Sequence, residues 1–492
     1  MSALGKSDVI SYGRFLFLRN IKAKVNPIKN ALKSLSITST NILVALIFFL
    51  FTAKISSPEF FGKVAVIQLL EVVTSTFFYF VPGQIITREV SYLYAKNELR
   101  KDVIEKFFTM PFLALPFFLV FLTYPGYVKL AIPYLFLYLL NSVMNSIMTG
   151  MDMFTESAIS GNIFLVIRWV VSIIAVLKQS IYLFVLIWLA GGVVAVTMNY
   201  AFMARRIGLF LPSFDIPFIL KHFRAGLPLY LSSAAGFFSS QGDRVTTAYL
   251  LGSYDLGIYQ FSALVAGVPS MVLGTLTSVL LPTASFYKAL GKDERKMASI
   301  SFRLLSLLTF LAVIVSIPVG DAVILRFFSE YASGLRAFDL LLMATTLPYF
   351  LSSLTIFIVA TKKDLRPFFV LSLINGGLVV STSYLLIPRL GIIGGAISQL
   401  IVSVGSSIFT IYYAIRTRIF SIGRREAVVL ILTPVVGLGL FFNTPLTDII
   451  VLTLVVLAFK LFKIISEDEI RVVDMFLPSK LKFISAVLRS LA

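Results

Sequence analysis

Apolar runs of about 20 residues, the length a helix needs to cross a bilayer, recur along the whole chain and are separated by short polar segments. They predict about fourteen helices: roughly 35–54, 62–84, 103–123, 128–149, 157–177, 180–204, 226–251, 257–284, 298–319, 333–360, 365–387, 391–415, 427–443 and 446–465. None shows the strict two-residue alternation of a membrane-spanning strand. Buried backbone amides without partners are costly in hydrocarbon, so the expected class is all-α, a polytopic membrane protein.

Composition agrees with that reading. Of 492 residues, 58% are hydrophobic and 14% charged, and the mean hydropathy is +0.93. That is too apolar for a soluble domain.

Charge orients the spans. With the N-terminus inside, 34 of the 43 Lys and Arg residues fall on the cytoplasmic side, 7 fall outside, and Arg168 and Arg244 lie within spans. This imbalance predicts an even span number with both termini cytoplasmic, in a cytoplasmic membrane. It also explains the net charge of +19 by anionic lipid head groups, so membrane lipids are expected partners and nucleic acid is not. About 34 mixed residues precede the first apolar run, so no cleavable signal is expected.

Both ends carry amphipathic patterns. Val9, Tyr12, Phe15 and Leu16 share one side of a helical wheel, and Ser466 with Glu469 makes a capping-box pattern ahead of Ile470, Val473, Phe476 and Leu477. Each end reads equally well as an interfacial helix or as a loosely ordered basic tail.

The chain also echoes itself. Ser57-Pro58-Glu59-Phe60-Phe61-Gly62 follows the first span and Ser253-Tyr254-Asp255-Leu256-Gly257 the seventh, with the two glycines 195 residues apart. Val81-Pro82 and Leu281-Pro282 are followed by Glu98 to Lys101 and Asp293 to Lys296, and Thr149 to Asp152 matches Thr361 to Asp364. Three matches in the same order predict two six-helix lobes plus two C-terminal helices. The expected divisions are a basic amphipathic segment 1–34, an N-lobe 35–204, a linker 205–225, a C-lobe 226–415, two helices within 416–466 and an amphipathic tail 467–492. Six spans per repeat make the repeat parallel, with a cavity expected between its halves.

Charges inside the spans locate candidate chemistry. Arg168 in the fifth span, Asp243 and Arg244 in the seventh, and Glu71 in the second would each cost about 2.5–3.5 kcal/mol facing lipid, so each should face a partner or a wet cavity. Helical spacing puts Gln241 and Arg244 on one face of a polar seventh span, and Asn41 belongs to the polar start of the first. Arg244, Arg168, Gln241 and Asn41 are therefore the candidate substrate-binding residues, because a guanidinium offers forked donors to phosphate oxygens. Structural pairing of the arginines with Asp243 or Glu71 is the competing reading. Asp243 and Glu71 could serve ion coupling or structural pairing.

Enzymatic machinery is not expected. Gly5-Lys6-Ser7 lacks the upstream glycine of a phosphate loop, and there is no Cys. The one His, His222, sits among Lys221 and Arg224 and reads as a solvated loop residue. No metal or organic cofactor is expected, leaving a proton or sodium ion as the coupling candidates.

The 6 + 6 + 2 arrangement, Pro58 to Gly62, Gln241-Gly242-Asp243-Arg244 followed by Leu251 to Tyr259, and Gly391-Ile392-Ile393-Gly394-Gly395-Ala396 resemble the polysaccharide and O-antigen flippases of the multidrug, oligosaccharidyl-lipid and polysaccharide exporter superfamily. The resemblance covers nearly all of the chain after about residue 30. It implies two lobes in a V, alternating access, transport of a polyprenyl-pyrophosphate-linked oligosaccharide from the inner to the outer leaflet, and envelope glycan assembly proteins as partners. A cation-coupled multidrug antiporter of the same fold is the alternative. The basic segment before residue 30 departs from the family pattern, and the cavity arginines come from burial, not from motif positions.

Overall fold

The computed structural model describes residues 43–277, 280, 294–361 and 366–466. The amphipathic segment 1–34, Asn41 and the tail from 467 lie outside the described residues, as do most of the 278–293 and 361–364 repeat loops. Among the described residues all regular structure is helical.

The helices in chain order begin with α1 (Leu43–Ile55), α2 (Pro58–Val73, continued as a π-turn Thr74–Phe78) and α3 (Gly83–Ala95). Then come α4 (Lys101–Thr123), α5 (Gly126–Gly150), α6 (Phe154–Leu177) and α7 (Ile181–Ile207). They are followed by α8 (Ile216–Thr277), α9 (Glu294–Phe327) and α10 (Ser329–Thr361). The last four are α11 (Arg366–Leu390), α12 (Ile392–Arg416), α13 (Arg424–Phe442) and α14 (Pro445–Leu461).

Local chemistry sets many of these limits. Ser180 Oγ accepts the Leu183 amide at 3.3 Å to start α7, and α7 ends on Arg205, Arg206 and Gly208, whose φ of +80° suits glycine. Thr444 and Thr447 form a reciprocal capping box with Pro445 in the first turn of α14. Pro111 and Pro116 break α4 into short pieces. Asp215 caps α8 by accepting the Phe218 amide at 2.9 Å. Lys106, 2.8 Å away, and that amide hold its carboxyl below the usual range.

The expected break between the seventh and eighth spans falls inside α8 at Gly252, whose φ of +83° forms a sharp kink. Two expectations change. The segment after Pro82, expected as loop, is the helix α3, whose Ile85, Ile86 and Val90 are buried. His222 is not solvated either. It is 5% exposed, packs edge-on against Phe107 and at a tilt against Phe218, and shares a 2.8 Å hydrogen bond between Nδ1 and the Phe218 carbonyl.

Ten of the described helices are long and apolar enough to cross a membrane. Their outer faces carry exposed apolar side chains, such as Leu385 and Ile408. A surface of this kind is stable only in lipid, so the chain is a multi-pass membrane protein.

The helices divide into two compact units, one comprising residues 1–56 and 67–233 and the other 57–66 and 234–492. The first is built around Val81, Ile86, Val90, Ile104, Phe107, Val143, Met144 and Ile147. In the second, Arg303 of α9 and Glu426 of α13 form a buried ion pair. The repeat-related glycines also meet there. A Cβ on Gly62 would fall 1.7 Å from the Ser253 carbonyl oxygen, and one on Gly257 1.9 Å from that of Pro58, so backbone touches backbone at both positions.

Candidate functional site

Glu71 on α2 and Arg168 on α6 form an ion pair with little solvent contact, and the Tyr134 hydroxyl of α5 donates to the other Glu71 oxygen. The Arg168 guanidinium lies 4.3 Å from the Trp188 ring centre and 4.5 Å from that of Trp169. A π-helical stretch, Val166–Val171, carries Arg168. Its looser turn leaves the Arg168 carbonyl accessible to the Trp188 indole N–H at 2.9 Å. Charge, ring faces and carbonyl are thus all answered within one unit, which leaves only the Arg168 Nε without an acceptor.

Arg244 is placed differently. Its Nη1 donates to Gln241 Oε1 at 3.0 Å, as their three-residue spacing allows, and its Nε has no acceptor. Among the described residues no carboxylate lies within ion-pair distance of it. The neighbouring Asp243 turns away, is 2% exposed and accepts from the Tyr259 hydroxyl, while its Oδ1 has no donor. The structure therefore brings Glu71 to Arg168 and Gln241 to Arg244, and does not pair Arg244 with Asp243.

The first unit also contains a cavity of about 600 Å³ that the sequence reading passed over. It opens where α2 gives way to α3. Ser75, Thr76 and Tyr79 come from the π-turn and the break, Pro82, Gly83, Gln84, Thr87 and Arg88 from the start of α3, Ser146 from α5, and Tyr230 and Ser233 from α8. The Tyr79 hydroxyl meets Ser146 Oγ at 2.9 Å, Thr87 donates to the Ser146 carbonyl at 3.0 Å, and Tyr230 to the Phe77 carbonyl at 3.1 Å. Gly83 is required for this closeness, since a Cβ would fall 2.5 Å from Ser146 Oγ.

The lining is hydroxyls, one amide and one guanidinium, without a carboxylate. Arg88 is exposed and has no carboxylate partner among the described residues. Such a surface can exchange hydrogen bonds with a polyhydroxylated ligand and attract a negative one. Its sequence signal is the Pro82-Gly83 break flanked by Ser75, Thr76, Thr87 and Arg88.

Comparison with known proteins follows the same line. The family model described as polysaccharide biosynthesis protein matches residues 28–288, more than half of the chain. The capsular polysaccharide biosynthesis protein CapF of Staphylococcus aureus is 28% identical over 207 residues, which are 39% of this chain and 49% of that one. The chain thus spans about half the length of that curated relative. Among solved structures, the lipid II flippase MurJ in its inward closed conformation is similar over 86% of this chain and 98% of that one, with a TM-score of 0.61 and 13% identity. An inward-facing multidrug resistance MATE family transporter of the MOP superfamily is similar over 77% and 94%, with a TM-score of 0.56 and 14% identity. At such identities the structural likeness speaks for the fold, and the family match for descent. This chain belongs to the polysaccharide biosynthesis protein family and shares the fold of MOP-superfamily transporters.

Proposed function

We propose that the protein moves a polyprenyl-pyrophosphate-linked oligosaccharide from the inner to the outer leaflet of the cytoplasmic membrane by alternating access, without catalysis. The observation that carries this reading is the carboxylate-free, hydroxyl-rich cavity of about 600 Å³ with Arg88 at its edge. Sugar hydroxyls match its lining, and the pyrophosphate matches the Arg88 guanidinium, which has no carboxylate partner among the described residues. In the second unit Arg244 is a further guanidinium without a carboxylate partner among the described residues. Family membership and the likeness to a lipid II flippase support the same class of cargo. Because Arg168 is already paired, its part is to hold α2 and α6 together, and Arg88 takes the place among ligand-binding candidates that Arg168 held in the sequence.

A cation-coupled multidrug antiporter is the second reading. It is favoured by the buried Asp243, which keeps one oxygen without a donor, and by the likeness to a multidrug transporter.

Ligand-induced thermal stabilisation of the purified protein separates the two. A polyprenyl-pyrophosphate sugar lipid should raise the melting temperature, less so as salt is added, since attraction over more than about 8 Å is screened at physiological ionic strength. Cationic dyes should have no effect. Stabilisation by cationic dyes alone, abolished in Asp243→Asn, would reverse the assignment.

A further inference from the structure

At the end of α9 and α13 opposite the Arg303–Glu426 pair, three carboxylates from three helices share one buried space. Asn443 Nδ2, between α13 and α14, donates to Asp321 Oδ2 of α9 at 2.6 Å and to Asp339 Oδ2 of α10 at 3.3 Å. Two acid groups bonded to the same nitrogen are close neighbours of like charge. Asp448 of α14 lies near enough to interact electrostatically with Asp321 and Asp339. Asp339 is 3% and Asp448 9% exposed, and the Oδ1 atoms of Asp321, Asp339 and Asp448 are all buried with no hydrogen-bond donor. The cation facing them is Arg336 of α10, 3.8 Å from Asp339, itself largely exposed and also bonded to the Phe441 carbonyl at 3.2 Å.

Three buried acceptors therefore lack donors, and one partly solvated cation faces three acids. Buried polar atoms without partners are rare enough to require an explanation. A metal ion would need converging oxygens. Among the described residues no three acid groups converge in that way, and Asn443 turns its N–H donors, not its oxygen, into the space. A proton meets both needs at once, because a protonated carboxyl loses its charge and becomes a donor to its neighbour.

We propose that Asp321 and Asp339, bridged by Asn443, together with the nearby Asp448, form a proton-binding site that fastens the α13–α14 turn to α9 and α10. The folded protein holds a proton there that the unfolded chain gives up at neutral pH. Raising the pH through the site's range therefore costs stability, and lowering it restores it. Asp→Asn substitutions keep the shape and remove only the charge, so they mimic the protonated form. The proposal does not depend on what the protein transports.

Infrared spectroscopy of the purified protein, read at the C=O stretch of protonated carboxyl groups, together with melting temperature from about pH 6 to about pH 9, tests it. The wild type should show the protonated band at neutral pH, weakened in Asp339→Asn and in Asp448→Asn. Its melting temperature should fall as the pH rises, while Asp339→Asn/Asp448→Asn stays flat. A wild-type spectrum without the band, a band unchanged in both variants, or sodium-dependent stabilisation in its place would overturn the proposal. Failure of the Asn variants to fold would do the same, since it would mean that ionised carboxylates hold the helices.

Discussion

Glu71→Gln would leave the Arg168 cation buried without its counterion. Breaking a buried pair by removing one partner costs roughly 3–5 kcal/mol, so the variant should lose most of its folded population in detergent. Arg244→Ala removes a guanidinium whose acceptor among the described residues is the Gln241 amide oxygen, so it should melt near the wild type yet lose stabilisation by the sugar lipid. Arg244→Lys should keep part of that response, having the charge but not the fork. An Arg244→Ala protein that binds the lipid normally would remove the residue from the site. The sequence announced Gln241 and Arg244 together because three residues of helix bring them onto one face. Glu71 and Arg168 are 97 residues apart, and no helical periodicity selects one partner over another at that distance. The cavity was illegible for the same reason: Ser146 and Tyr230 reach it from helices remote in sequence.

Between elements, the contact of Gly62 with Ser253 and of Gly257 with Pro58 leaves no room for a side chain. Gly62→Ala or Gly257→Ala must push two backbones apart, and each should lower the melting temperature more than Gly267→Ala, whose Cβ would meet nothing within 4 Å. Equal melting of all three would show that the crossing yields without cost. The sequence pointed to these glycines only as matching positions in a repeat. Matching positions cannot reveal that the copies touch, because contact depends on where each copy packs. Helix breaks were legible in part. Proline marks the fragments of α4 and the expected end of the seventh span falls at the Gly252 kink, but the helical state of 83–95 depends on burial that hydropathy averages away.

Across the whole molecule, the helical class and membrane setting were plain in the sequence, since lipid imposes long apolar helices on any chain that crosses it. The orientation expected from charge is directly testable because the sequence has no cysteine. Single cysteines at Leu209 and Ile422 should react only with reagents that enter from the cytoplasm, and those at Tyr124 and Leu390 with impermeant reagents from outside. All four positions are exposed. Labelling of Leu209 from outside would invert the expected topology and with it the proposed direction of transport.

The membership of residues 57–66 in the second unit has a consequence for how the protein is made. Gly62 leaves the ribosome 195 residues ahead of Gly257, the backbone it packs against. At about 5–20 residues per second, the α2 entrance waits roughly 10–40 s in the membrane for its counterpart. Until then residues 57–66 lack the backbone they pack against, although the helices after them have a core of their own. Biogenesis must shelter that unmatched segment, and a chain stalled before the seventh span keeps it exposed.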